Sequence, residues 1–169
     1  MSHYLSLIVA RSLNHVIGKD GKIPWRCPPD QERFRELTMG KICIVGRKTY
    51  ESVPVLRDRF CLVVGNSPVE IPMGEAVESP DAAILRARCL NLSGGHPETM
   101  VLGGSSIYDQ MIPRAQRVYL STIHRQIPDG DVFFQYDFPA SSFKKTYERA
   151  IYNYAHGDHT FEIWDRDYK

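Results

Sequence analysis

Apolar side chains fall along this chain in short runs, not in long stripes. Runs rich in β-branched residues occupy positions 4–10, 42–45, 60–64, 100–102, 118–123 and 160–164, bounded by Gly, Pro, Asn or Asp. That length and punctuation predict strands. Between the early runs the spacing turns helical. Positions 30–38 follow the Pro28-Pro29 pair, where proline suits a helix start, and Gly40 ends them. Pro80-Asp81 opens a run of good helix formers over 82–90, and a third short helix is expected over 105–111, after Gly103-Gly104. Strands alternating with helices imply an α/β fold with a largely parallel sheet covered on both faces. Beyond Tyr119 the helical spacing fades. Positions 143–154 and 160–165 read as two strands joined through 155–158, an antiparallel hairpin appended to the parallel sheet.

Composition narrows the function classes more than the fold. The 169 residues, undivided by linker or repeat, are expected to form a single domain over 1–169. With 21 basic and 20 acidic side chains the net charge is +1, which argues against a nucleic-acid or membrane-surface binder. No apolar stretch approaches the ~18 residues that span a bilayer, and no signal peptide precedes the first strand. A cytoplasmic protein is expected. Four cysteines, at 27, 43, 61 and 89, form neither a C-x-x-C pair nor a zinc-like spacing with histidine. No metal is expected. Cys43 and Cys61 sit inside apolar runs, so buried, reduced thiols are the expectation.

Four segments carry candidate chemistry. On a helix starting near Pro29, Asp30, Phe34 and Leu37 share one face, so the acid lies on the apolar stripe while Glu32, Arg33, Arg35 and Glu36 take the other sides. A first-turn Asp also suits a helix N-terminus. Upstream, Asn14-His15-Val16-Ile17-Gly18 and Gly21-Lys22-Ile23-Pro24-Trp25 make a long loop, a candidate lid beside that acid. Gly46-Arg47-Lys48-Thr49 places glycine, two bases and a hydroxyl at a strand-to-helix corner, which suits an anion as well as a solvated turn. Gly103-Gly104-Ser105-Ser106 repeats the strand–glycine–helix arrangement, but it is not the G-x-G-x-x-G fingerprint.

The order of these pieces is more specific than any one of them. Residues 6–10, 16–18, 23–25, 28–30 with Phe34, 46–52, 101–108 and 131–134 together resemble dihydrofolate reductases of the bacterial type over essentially the whole chain. The resemblance implies a three-layer fold with a mixed eight-stranded, mostly parallel sheet and an antiparallel C-terminal strand. It implies NADPH-dependent reduction of 7,8-dihydrofolate to tetrahydrofolate, which supports one-carbon metabolism and thymidylate and purine synthesis. A monomer acting on this small-molecule substrate is the expectation.

Position by position, Asp30 matches the acid that bonds the pterin 2-amino group and N3, a two-pronged contact natural for a carboxylate. Hydride reaches C6 while N5 gains a proton. Ile8, Val9, Phe34, Ser52, Val53, Leu56 and Leu102 match substrate-lining positions. Arg59 matches the arginine that clamps the glutamate α-carboxylate, and Ser121 stands where the family has a threonine hydroxyl supporting the acid. Trp25 would organise water at the end of the lid. Ala10, Ile17, Gly18 and Lys22 match the nicotinamide side of the cofactor site. Gly46, Arg47, Lys48, Thr49, Val64, Gly65 and Asn66 match its adenosine-phosphate side. Gly103, Gly104, Ser105, Ser106, Ile107, Tyr108 and Gln110 match the pyrophosphate turn, where the family has a cis bond between the glycines.

Departures carry their own expectations. The stretch 53–59 is one residue shorter than the family's Gly-Arg-Pro-Leu-Pro-Gly-Arg region, leaving Arg57 and Arg59 to compete for the clamp, with spacing to Phe60 favouring Arg59. Gly65-Asn66 and Ser106 replace polar or basic residues, which predicts a weaker NADPH-over-NADH preference. Cys27 and the shortened 53–56 region border the expected antifolate pocket, predicting poorer binding of diaminopyrimidine inhibitors. Two rivals share parts of this pattern: a pyrimidine reductase of the riboflavin-synthesis type, and a non-catalytic pterin-binding protein.

Overall fold

The computed structural model describes residues 3–66, 69–95, 97–155 and 157–169. Nine residues, Tyr4–Ser12, form β1, and their alternation decides the architecture. Leu5, Leu7 and Val9 pack on one face with Ala83, Ile84, Ile107 and Met111, while Ile8 joins Val45, Leu56 and Leu102 on the other. A strand apolar on both faces has to lie inside a layered fold.

The remaining elements follow as β2 (Val16–Gly18), α1 (Pro28–Thr38), β3 (Ile42–Gly46), α2 (Arg47–Ser52), β4 (Phe60–Val64), β5 (Gly74–Val77) and α3 (Pro80–Gly94). Then come β6 (Glu98–Val101), α4 (Ser105–Met111), a 3-10 turn (Ile112–Arg114), β7 (Arg117–Ile123), β8 (Val132–Phe133), β9 (Phe143–Ile151) and β10 (His159–Arg166). Eight strands make one sheet in the order β5-β4-β3-β6-β1-β7-β10-β9, and β2 pairs with β8 separately. Every pairing from β5 to β7 is parallel, and β10 runs against both of its neighbours. Residues of α3 and α4 cover one face; Phe34 and Leu37 of α1 and Tyr50 of α2 pack on the other. The mixed eight-stranded, three-layer expectation holds.

Helix boundaries follow local chemistry. Ser79 accepts a hydrogen bond from the Ala82 N–H at 3.1 Å, Pro80 follows it, and Gly95 closes α3 in the left-handed region. That helix runs four residues beyond the 82–90 stretch expected from propensity. α1 ends where Met39 N–H returns to Arg35 O and Thr38 turns its hydroxyl onto Phe34 O. β9 stops at Ile151, short of position 154, and the joint after it includes residue 156, outside the described residues. β2, β5 and β8 have two to four residues each, too few for alternation to mark them.

Cys27, Cys43 and Cys61 are buried as expected, whereas Cys89 is exposed on α3. Burial pushes the Cys61 thiol up to about 11 and raises Cys43 as well. Among the described residues no helix is long and apolar enough to cross a membrane, and no cluster of His, Cys, Asp and Glu is arranged to hold a metal.

Candidate active site

Asp30 enters the site from the first turn of α1, with its side chain 15% exposed. Ser121 of β7 lies between Ala10 of β1 and Phe161 of β10 in the sheet register. It donates its hydroxyl to Asp30 Oδ1 at 2.5 Å. Arg33 Nη1 lies 3.4 Å from the same oxygen. Arg33 is itself held from the far side: its Nη1 is 3.1 Å from Nε2 of His159 and its guanidinium sits over the Phe161 ring at 4.4 Å. Arginine can only donate, so Nε2 of His159 accepts. The ring proton then belongs on Nδ1, which faces Cys27 Sγ at 3.7 Å. Burial first, and then the Arg33 cation, hold the His159 imidazole below its ordinary value, in keeping with a neutral ring.

Next to the acid lies an apolar wall. Ile8, Leu56 and Leu102 are buried in one cluster, with Phe34, Leu37 and Val53 packed against it. The stripe of α1 therefore borders a cleft and is half-covered instead of sealed in the core; of its residues only Thr38 is fully buried. Val9 does not join this wall: its side chain belongs to the cluster on the opposite sheet face, so any contribution to the cleft is from its main chain. At the far end Arg59 is 7% exposed, its Nε donating to Arg57 O at 3.0 Å and its Nη1 to Thr38 Oγ1 at 3.2 Å. Arg57 is exposed. The guanidinium built into the fold is that of Arg59. Ser52 is exposed and spends its hydroxyl on Thr49 O, within its own helix.

The glycine corner forms at the carboxyl ends of β3, β4 and β6, the edge of a parallel sheet where ligands gather. The Gly103–Gly104 peptide is cis. Gly46 N–H donates to Gly103 O at 2.7 Å, and Tyr108 N–H to Gly104 O at 2.9 Å. There is no room for side chains here: a Cβ on Gly103 would meet the Tyr108 ring at 2.9 Å, and one on Gly104 would lie 2.8 Å from Thr49 Oγ1. The buried Tyr108 hydroxyl donates to Ile8 O at 2.6 Å and lies 2.9 Å from Leu102 O, tying the corner to the apolar wall. Arg47 is ion-paired with Glu51 at 2.9 Å, and Gly65 packs against the Arg47 side chain. Lys48, Asn66, Ser106 and Gln110 are exposed, with Gln110 turned onto Ser106. Val64 is paired with Gly46 in the β3–β4 register, and Ser105 donates to Phe133 O.

The expected lid is more ordered than a free loop. Val16 and Gly18 pair with β8, and Lys19 and Lys22 close the turn by reciprocal backbone bonds of 2.8 and 2.9 Å. Asp131 accepts from the Asp20 N–H at 3.0 Å, and the Asn14 side chain bonds both N–H and C=O of Ile127. Ile17 packs, partly buried, against the core. Trp25 and Lys22 line an open depression of about 610 Å³ with Lys19, Arg26 and Arg125.

Comparison with known proteins decides the family. The dihydrofolate reductase family model matches residues 4–166. The chain belongs to the dihydrofolate reductase family. It is 38% identical over 133 residues to a type 3 dihydrofolate reductase of Salmonella typhimurium, covering 77% of each chain. It is 35% identical over 141 residues to the dihydrofolate reductase of Bacillus subtilis, covering 83% of this chain and 80% of the relative. A solved dihydrofolate reductase from Enterococcus faecalis, complexed with NADP(H) and RAB-propyl, superimposes with TM-score 0.80 at 25% identity, covering 97% of this chain and 96% of that one.

For a dihydrofolate reductase the corner suits its nucleotide cofactor: main chain stripped of side chains at 103–104, with Thr49 and two cations at its rim. Three residues of the site escaped sequence reasoning. Helical spacing puts Arg33 on the outer sides of α1, yet its three-residue spacing from Asp30 is a usable signal. His159 and Phe161 sit on the terminal strand, and nothing local marks them as partners of Arg33.

Proposed function

We propose that this protein reduces 7,8-dihydrofolate to 5,6,7,8-tetrahydrofolate with NADPH, Asp30 anchoring the pterin. The observation that carries this reading is the covered Asp30–Ser121 pair beside an apolar wall that the Tyr108 hydroxyl ties to the bare glycine corner. Asp30 presents a carboxylate to the 2-amino and N3 edge of the ring, a two-pronged contact that fixes orientation. Ser121 holds that carboxylate in place. Ile8, Phe34, Val53 and Leu56 enclose the ring and the aminobenzoyl group, and Arg59 clamps the glutamate α-carboxylate.

Arg47, Lys48, Thr49 and the main chain of 103–107 would hold the cofactor phosphates. When bound, the reduced nicotinamide supplies the hydride that pterin C6 receives. Asp30 is committed to the opposite edge of the ring from N5, so it orients the pterin and raises the basicity of N5 without delivering the proton. Water beside Trp25 and the 16–25 lid delivers it. A monomeric, single-domain, cytoplasmic enzyme without nucleic-acid partners completes the reading, supported by the balanced charge and by the one sheet that spans the chain.

Mixing purified protein with dihydrofolate and NADPH, and following the near-ultraviolet absorbance of the reduced cofactor, tests the proposal. Dihydrofolate-dependent oxidation is expected. NADPH consumption indifferent to dihydrofolate, or none, would refute it.

A further inference from the structure

We infer that Arg33 sets the charge preference of the pterin site, favouring a neutral 2-amino-4-oxo ring over a protonated 2,4-diamino ring. The inference rests on the proposed pterin site and adds to it a residue that selects among its ligands. Asp30 alone would favour a cationic amidine edge, because a positive ring adds the attraction of two opposite unit charges to the same two hydrogen bonds. Arg33 changes that balance. Its Nη1 lies 3.4 Å from Asp30 Oδ1, so the acid already faces one cation before any ligand arrives. A protonated diamino ring would meet a partly neutralised carboxylate and a like charge beyond it. A neutral ring keeps its two hydrogen bonds and feels neither monopole.

The guanidinium is fixed, which distinguishes it from an exposed arginine that swings into water. His159, fully buried, accepts from Nη1 at 3.1 Å, and the Phe161 ring lies under the guanidinium at 4.4 Å. The imidazole is a good backing group because it is neutral and its Nδ1–H is turned to Cys27. The groups surrounding this pair come from three elements: Cys27 and Asp30 at the start of α1, Ser121 of β7 and His159 of β10. Arg125, following β7, adds a positive charge beside Cys27, and His124 stands near His159. No acid other than Asp30 faces the guanidinium among the described residues.

The test compares folate with its 2,4-diamino counterpart, which share a tail and differ in the basicity of the ring. Dissociation constants are read by quenching of tryptophan fluorescence on the wild-type protein and on Arg33→Met and Arg33→Lys. Removing the charge should raise the diamino-over-oxo preference by about tenfold, as expected for two like charges several ångströms apart at a partly covered site. The lysine variant, which keeps the charge, should stay within about threefold of wild type. Arg33→Gln, which keeps a donor for His159, repeats the neutral arm should methionine disturb packing. An unchanged preference in the neutral variants, or an equal rise in the lysine variant, overturns the inference. Failure of the function reading looks different: wild-type protein would show no dihydrofolate-dependent turnover, whatever the binding ratio.

Discussion

Ser121 reaches Asp30 at 2.5 Å across 91 positions of sequence, joining α1 to the sheet at the acid beside the apolar wall. The pair separates two roles that a single acid would otherwise combine. Asp30→Asn removes the anchor and should lower turnover at neutral pH by about two orders of magnitude or more. Activity should recover as pH falls, because substrate then arrives protonated. Ser121→Ala removes one hydrogen bond, worth about 1 kcal/mol, and should lower kcat/KM by roughly fivefold. Equal losses in the two variants would contradict this division.

On the proposed reading, cofactor choice would rest on exposed charge. Arg47 is already paired with Glu51 within α2, and Lys48 is the freer cation at the corner. Exposed pairs are worth about 0.2–1 kcal/mol, so the kcat/KM ratio of NADPH to NADH should be about tenfold or less. Lys48→Met should bring it close to unity. A ratio of about a thousand in the wild-type enzyme would show that the corner holds the 2′-phosphate by more than these groups.

The root of the lid leaves no space for change at position 130. A Cβ on Gly130 would come within 2.3 Å of the buried Val16 side chain, at the start of β2. Gly130→Ala should therefore displace β2 from β8 and cost about 1–3 kcal/mol. Turnover should fall more than folate affinity, since the acid and the apolar wall are elsewhere. Hydrogen exchange confined to 14–25 and 124–133 would locate the damage; uniform loosening would not fit.

Acid sensitivity should trace in part to His159. Its folded imidazole titrates below the ordinary value near ~6.5, through burial first and Arg33 second. As pH falls below that value the unfolded chain takes up a proton that the folded chain refuses. The contribution is present above the unfolded value and lost on acidification. His3 and His15 are shifted in the same direction, also mainly by burial. Melting temperatures of His159→Phe should fall less steeply between about pH 7 and pH 5 than those of wild type. Parallel slopes would remove His159 from the account.

Local signals exposed the corners of this fold and hid its cross-links. Asp30, Gly46 and Gly103–Gly104 were legible because each lies where a strand or a proline pair hands over to a helix. Ile8 and Val9 are adjacent on a strand and both apolar, so alternation puts them on opposite faces, but nothing in the sequence alone says which face borders the acid. Arg33 looked like one more charge on an outer face. Its partner His159 stands 126 positions away, and only the pairing of β10 with β7 brings it under α1. Single registers decide such contacts, and composition carries no trace of them.

β10 is threaded between β7 and β9, so the strand synthesised after the others is an interior one. The glycine corner is complete once residues 46–108 have left the ribosome. The wall behind Asp30 is not, because His159 and Phe161 emerge only with β10. A nascent chain can therefore assemble its glycine corner before Asp30 is backed, and the Arg33 contact that we infer to select among pterins forms only when β10 pairs with β7.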